Sequence, residues 1–527
     1  MKHFYLDAQS PRKSFDHYWE LCVGSCHAAT ALRADWQRQL ERCHRELGFR
    51  YVRFHGLFDD DMSVAAKPLL ALQPKYCFTN IDKIYDFLLS IGMKPFVELG
   101  FMPECFASGN KTLFHYKANT TPPRDYNQWA AFIQMFLEHL IARYGRAEVR
   151  SWFFEVWNEP NLGGPDSPFG FWSATKEEYW KLYDVTAAAV KEVDSALRVG
   201  GPATSNNAWL PEFLVHCRTS GAPVDFVSTH HYPTDVVVGY GVEDSGNFSN
   251  PIDTSDPEKL KALVARVKSD PAQLEQVQEE YGVFQSHLWE RVERGVLTDM
   301  ARRARAETGS LPLFYTEWGS LAGLPSDGAF GASFIAKTLA DNEGLVDGYS
   351  FWAFTDIFEE SAQQAEAFHG GFGLLTQHGI PKAPYRAFQL MRGITGERFE
   401  QSFAEGTLEV HAFRQDETKT IKLLAVNHQS LLHPVCEETV RVEIGGTGKC
   451  IAAESVRIDD EHANALAAWQ TMGSPAYLSQ AQCLALESAS SLAPEAQAFC
   501  MEDGVLSLDI TVPPMGIALV TLYLGNL

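Results

Sequence analysis

No apolar run in this 527-residue chain approaches the roughly 20 residues that a membrane-spanning helix needs. The opening stretch, Met1-Lys2-His3-Phe4-Tyr5-Leu6-Asp7, carries an acid and lacks the apolar segment of a secretory leader, so a cytoplasmic protein is expected. No CxxC pair occurs among the ten cysteines, and the nearest two are Cys22 and Cys26. Free thiols are therefore expected rather than disulfides or a zinc centre. Basic residues are scarce: Lys and Arg number 44 against 67 Asp and Glu, a formal net charge of −23. That balance argues against nucleic acid and anionic membranes as partners, since both need a basic footprint. No GxGxxG follows any strand-like run, which disfavours a dinucleotide-binding open sheet. A Gly-rich phosphate loop and internal repeats are lacking too.

What is present is alternation. Apolar residues make up 45% and charged residues 21%, ordinary for a globular chain, and the length suggests two or three domains. From about residue 20 to 395, strand-like runs alternate with helical ones. The strands are read at 21–25, 51–55, 95–99, 152–157, 197–201, 225–230, 312–317 and 348–354. Helical spacing falls between them at 35–47, 80–90 (with Asn80 as its cap), 126–144, 176–193, 210–219, 289–307, 330–341 and 385–391. Eight strands, each followed by a helix, predict a (β/α)8 TIM barrel over residues 15–395. The longest interruption, 234–285, is expected to form a lid or wall at the barrel mouth.

Near Gly396 the pattern changes to short alternating runs at 399–411, 420–426, 440–444, 505–512 and 517–524. An all-β, sandwich-like domain is expected over 396–527, with a helical excursion at 459–488. Residues 1–14 form a separate segment expected to pack on that domain.

The chemistry gathers around Trp152–Leu162. This run begins as a buried strand and is stopped by Pro160, leaving Asn158 and Glu159 at the strand end. In a barrel, the C-terminal strand ends converge on one pocket. The second strand delivers Arg53 and His55, and the fourth Asn158 and Glu159. The sixth delivers His230, His231 and Tyr232, and the seventh Glu317 and Trp318. The eighth delivers Trp352 and, beyond it, Asp356, Glu359 and Glu360. Two carboxylates on strands four and seven, ringed by aromatics and neutral polar groups, suit glycoside hydrolysis. Glu155, inside its strand, is expected to pair with a buried arginine such as Arg53. Adjacent strand residues face opposite sides, so His230 and His231 do not share a metal, and no metal or cofactor is expected. Glu98 reads as a barrel-interior carboxylate. Trp172, Trp209 and Phe169 are candidates for a second sugar subsite or for core packing.

Val-Trp-Asn-Glu-Pro-Asn (156–161) with Tyr-Thr-Glu-Trp (315–318) resembles retaining glycosidases whose two glutamates sit on strands four and seven. Cys-Val-Gly-Ser (22–25), Gly-Phe-Arg-Tyr-Val-Arg-Phe-His-Gly (48–56), His-His-Tyr (230–232), Phe-His-Gly-Gly-Phe-Gly-Leu (368–374) and Arg-Ile-Asp-Asp-Glu-His-Ala-Asn (457–464) narrow the resemblance to glycoside hydrolase family 39, β-xylosidase type. The resemblance covers nearly the whole chain. It implies Glu159 as general acid/base and Glu317 as nucleophile. It also implies substrate contacts from His55, Asn158, His230, Tyr232, Trp352, Glu359 and Glu360, with Arg53 in support. The chain departs from the family's frequent Thr-Glu-Phe-Asn by reading Thr-Glu-Trp-Gly at 316–319. The expected activity is a β-D-xylosidase acting on short xylo-oligosaccharides, with no cofactor and an undetermined oligomeric state. Another retaining specificity, such as α-L-iduronidase or arabinosidase, is the alternative. A non-catalytic sugar-binding protein is the alternative of a different class.

Overall fold

A computed structural model describes residues 2–66, 74–167, 170–238, 288–360 and 364–525, with 262, 265, 266 and 268–270. Eight parallel strands close into a barrel: β1 (Cys22–His27), β2 (Tyr51–His55), β3 (Lys94–Leu99), β4 (Phe153–Val156), β5 (Arg198–Ser205), β6 (Phe226–His231), β7 (Leu313–Trp318) and β8 (Gly348–Phe351). Helices cover the outside. The helix Tyr126–Tyr144 starts where the Asp125 carboxylate accepts from the Asn127 and Gln128 amides. In the same way the Thr175 hydroxyl caps Lys176–Val193.

The barrel interior is layered. Phe96, Phe153, Phe226 and Phe314 plug its lower end, with ring centroids 5.0–6.0 Å apart. One step up, Arg53, Glu98 and Glu155 are buried. Side chains alternate along a strand, so the same strands that bury phenylalanine below present ionisable groups above.

One register fault matters for the site. Thr229 of β6 pairs with Tyr315 of β7, yet the next residue, His230, pairs with Glu317. Thr316 is thus the extra residue of a bulge. The fault lets two consecutive residues, Thr316 and Glu317, both turn inward.

Apart from two short two-stranded ribbons, Ala65–Ala66 with Lys75–Tyr76 and Thr112–Leu113 with Ala118–Asn119, the strands outside the barrel form two facing sheets. One orders Lys2–Asp7, Glu438–Gly445, Val505–Val512 and Cys500–Glu502. The other orders Arg12–Ser14, Glu397–Glu405, Leu408–Gln415, Thr420–Asn427, Ile517–Leu524, Cys450–Ile458 and Pro494–Ala496. Their inner faces share one apolar core, including Phe4, Leu6, Val410, Leu423, Val442 and Leu508. The first residues of the chain thereby complete sheets built mainly from its last third.

Several expectations are corrected here. The run read as one strand at 399–411 is a hairpin, Glu397–Glu405 and Leu408–Gln415, turning at Gly406. Strand Cys450–Ile458 escaped notice because much of its length is only partly covered, so its apolar alternation is weak. Asn80 caps nothing: its helix starts at Thr79, and its amide donates to Met62 O at 3.1 Å. The helix read at 289–307 is a short turn, Trp289–Arg291, then a helix, Val296–Thr308, preceded by Gly295. Within 234–285 the helix Pro233–Val238 is described, and the rest of the expected lid lies mostly outside the described residues. Among the described residues, no helix is long and apolar enough to cross a membrane.

Candidate active site

Arg53 organises the pocket from below. Its Nε donates to Glu155 at 2.5 Å, Nη1 to Glu317 at 2.8 Å and Nη2 to Asn158 Oδ1 at 2.8 Å. Nη2 also lies 3.0 Å from Glu98. A fully buried guanidinium facing three carboxylates stays charged, and burial is outweighed by those anions. The expected Glu155–Arg53 ion pair is present, and Glu98 lines the barrel interior as read.

Above Arg53, the end of β4 twists. Trp157 and Glu159 both adopt left-handed backbone, φ 73° and 42°. Such conformations are uncommon away from glycine and cluster at functional sites. They bring Asn158 and Glu159 into the pocket together. Arg53 holds Asn158 by its Oδ1, and the buried Asn158 Nδ2 has no hydrogen-bond partner among the described residues. It is a donor waiting for an acceptor.

One carboxylate oxygen of Glu159, one of Glu317 and a ring nitrogen of His230 lie within 4.8 Å of one another. Glu317 receives Arg53 on Oε1 and the Tyr232 hydroxyl on Oε2 at 3.0 Å. His55 Nε2 stands 3.5 Å from it. Burial raises the Glu317 carboxyl above the usual range, and Arg53, His55 and Tyr232 pull it back. For Glu159, burial and then the Glu317 charge push the carboxyl well above that range. Arg53 therefore does not bring Glu317 below a free glutamate. It keeps Glu317 below Glu159, which is what separates the roles of the two groups.

The walls are aromatic. Trp352 packs against His55 with centroids 4.7 Å apart, Phe358 meets Trp352 edge-on at 5.9 Å, and Phe372 lies 5.0 Å from Phe358. Gly24 is required beneath this wall, since a Cβ there would stand 2.5 Å from the Trp352 ring. His55 donates to or accepts from Glu98 at 2.7 Å, and burial drives its pKa down to about 3, so it is neutral.

The other residues divide. Glu360 lies near the site, 3.9 Å from His55, with its carboxyl pushed well up by burial and then by Glu317. Glu359 turns toward Arg33, at 3.4 Å, and His27, at 3.9 Å, on the rim. Asp356, one of the acids delivered beyond the eighth strand, is bound to Lys382 at 2.7 Å and accepts from the Gly373 amide. Its carboxylate offsets a buried lysine and is not free for a sugar. His230 faces the pocket while His231 bonds Tyr349 at 2.6 Å and stacks on Tyr315, so the two point apart as strand geometry requires. Trp172 is core, its indole donating to Thr175 O; Trp209 packs on Trp180; Phe169 lies outside the described residues. Trp318 stacks on Tyr349 at 4.1 Å on the outer side of β7, so the departure from Thr-Glu-Phe-Asn alters the strand–helix layer at that position. Gly319, the other departure, does face Tyr232.

Two participants were missed in the sequence. Asp235, just past Tyr232, is half-buried, and its carboxyl is raised to about 7 by desolvation and then by Glu317. Thr316 was unremarkable because strict alternation points it away from Glu317's side. Together the groups can supply a proton from one carboxyl while the other attacks a carbon held between them.

Comparison with known proteins agrees with this geometry. The model of Glycosyl hydrolases family 39 matches residues 2–283 and 280–506. A beta-xylosidase of Caldicellulosiruptor saccharolyticus is 43% identical over 516 residues, covering 96% of both chains. A beta-xylosidase of Geobacillus stearothermophilus is 33% identical over 519 residues, covering 97% of this chain and 93% of its own. The crystal structure of a monomeric beta-xylosidase from Caulobacter crescentus CB15 superimposes with a TM-score of 0.78 at 31% identity, over 100% of both chains. A family match spanning the chain, on a barrel whose fourth and seventh strands bring two glutamates together, makes this glycoside hydrolase a member of glycosyl hydrolases family 39.

Proposed function

We propose that the protein is a retaining exo-β-D-xylosidase that releases xylose from short xylo-oligosaccharides by double displacement. The observation that carries the reading is the approach of Glu159 and Glu317, with oxygens inside 4.8 Å. Retaining enzymes hold their carboxyls about 5–5.5 Å apart, whereas inverting ones leave roughly 6.5–9.5 Å for a water.

Glu317, ionised against Arg53, attacks the anomeric carbon as the bond to the leaving oxygen breaks. The Glu159 proton passes to that oxygen. Water then attacks the same carbon, gives its proton back to Glu159, and the bond to Glu317 breaks. Asn158 Nδ2 meets the sugar 2-hydroxyl, a contact that tightens as the oxocarbenium-like state forms. His55, Tyr232 and Glu360 hold the remaining hydroxyls, with Trp352 as the apolar wall and Glu359 at the rim, while His230, both of whose ring nitrogens have protein partners, backs Glu159.

Charge supports the choice of sugar. An iduronide brings a C5 carboxylate, which needs a committed cation. Arg53 is already engaged by Glu98, Glu155 and Glu317, and Arg33 by Asp35 and Glu359. Glu360 and Asp235 add acidic groups, and these suit neutral hydroxyls. Xylose lacks a C5 substituent, so Trp352 and Phe358 can close over that edge. An aryl β-D-xyloside should be cleaved well, the β-D-glucoside much less, and the α-L-iduronide not measurably, in one assay at equal concentration. Efficient iduronide cleavage would overturn the sugar assignment while leaving the two glutamates in place.

A further inference from the structure

Thr316, the bulge residue of β7, stands between two strands of hydrogen bonding. Its hydroxyl donates to Glu155 Oε1 at 2.8 Å and lies 3.1 Å from His230 Nε2. Glu155 is ion-paired with Arg53, so its carboxylate can only accept. Thr316 has one hydroxyl proton, and Glu155 takes it. Toward His230, Thr316 can offer only a lone pair.

Burial, followed by the charge of Arg53, keeps His230 well below its ordinary range, so the ring is neutral with a single proton. That proton sits on Nε2, facing Thr316. Nδ1 then presents a lone pair, 3.0 Å from Glu159 Oε1. Two lone pairs make no hydrogen bond, so the proton in this contact belongs to Glu159.

We propose that Thr316, held by Glu155, is a positioning residue that fixes the ring proton of His230 on Nε2 and thereby makes Glu159 the donor in their shared hydrogen bond. The chain Arg53–Glu155–Thr316–His230–Glu159 is complete only while Glu159 keeps its proton. Once that proton has gone to the leaving oxygen, the carboxylate faces the His230 lone pair and becomes a stronger base toward the incoming water. The inference rests on the acid/base role proposed above for Glu159. The other groups around Glu159 are Glu317 on β7, Asp235 and Tyr232 after β6, Arg53 and His55 on β2, and Glu360 after β8. All of them are retained in the variants below.

The test compares wild type, Thr316→Val and Thr316→Ser in kcat/KM against pH on an aryl β-xyloside. Valine keeps the volume and removes the acceptor, freeing His230 to carry its proton on Nδ1 and donate to ionised Glu159. The alkaline limb should then fall by about one pH unit, with the acid limb unmoved and the serine variant like wild type. An unchanged alkaline limb in Thr316→Val, or an equal shift in Thr316→Ser, would overturn the proposal. If the valine variant does not fold, ring-15N-labelled wild type decides, with His230→Asn used for assignment. Resonances of a neutral Nε2–H ring at His230 are expected, and an Nδ1–H ring would refute the mechanism. This second readout needs no turnover, so a protein inactive on every glycoside would sink the proposed function without deciding the tautomer.

Discussion

Arg53 donates to Glu317 Oε1 at 2.8 Å from a position fully shielded from solvent. The same guanidinium holds Glu155 and Glu98. Its fork spans directions that a lysine ammonium cannot reach at once. Arg53→Met would leave buried carboxylates without their cation, which costs about 3–5 kcal/mol. A loss of unfolding free energy of that size in a urea titration, with activity lost at every pH, is the expected result.

Glu317→Gly should lower turnover on aryl xylosides by roughly 10³-fold or more while the fold persists, because no core packing depends on that carboxylate. Added azide should restore the rate and give a glycosyl azide of inverted configuration. Near-normal activity in the variant would remove Glu317 from the nucleophile role.

Glu159→Ala should discriminate by leaving group. General acid assistance is worth about 10²–10⁴-fold where the departing oxygen needs a proton. Unactivated xylo-oligosaccharides should therefore suffer that loss, while dinitrophenyl xyloside shows a burst as the covalent intermediate accumulates. A uniform loss across leaving groups would count against the assignment.

The pH profile follows from the two carboxyls. Activity requires Glu317 ionised and Glu159 protonated, so the acid limb reports the first and the alkaline limb the second. Burial raises both, Glu159 further. Both limbs of kcat/KM should lie above the value of 4.5 for a free glutamate. An acid limb below that value would show that Arg53 outweighs burial.

Asp235 gives a stability prediction. Its carboxyl is raised from 3.8 to about 7, chiefly by burial and then by Glu317. The folded protein keeps a proton that the unfolded chain has already released. The group's contribution is therefore fully present below about pH 4 and is lost as pH rises through about 7. Asp235→Asn cannot ionise, so its Tm relative to wild type should rise between pH 4 and 8. A constant difference across that range would refute the assignment.

Much of this protein was legible in its sequence because local rules and tertiary outcome agree. The near-continuous apolar run at 152–157 becomes β4 with Asn158 and Glu159 at the mouth, although the strand ends at Val156, where Trp157 turns left-handed, rather than at Pro160. Helices such as Tyr126–Tyr144 and Lys176–Val193 match their apolar spacing to the residue. The two catalytic candidates were named from strand ends alone, because a barrel gathers all such ends at one place.

Most of what the sequence did not carry was set by register or by a distant partner. Asp356 looks like a free acid until Lys382 is seen against it. Residues 1–14 were expected to pack on the β-domain, but that Lys2–Asp7 is itself a strand, added in parallel beside Glu438–Gly445, is seen only in the pairing. Alternation assigns Thr316 and Glu317 to opposite faces, and one inserted residue in the pairing of β6 with β7 turns both inward. A bulge is a property of two strands together, so no reading of either strand alone contains it.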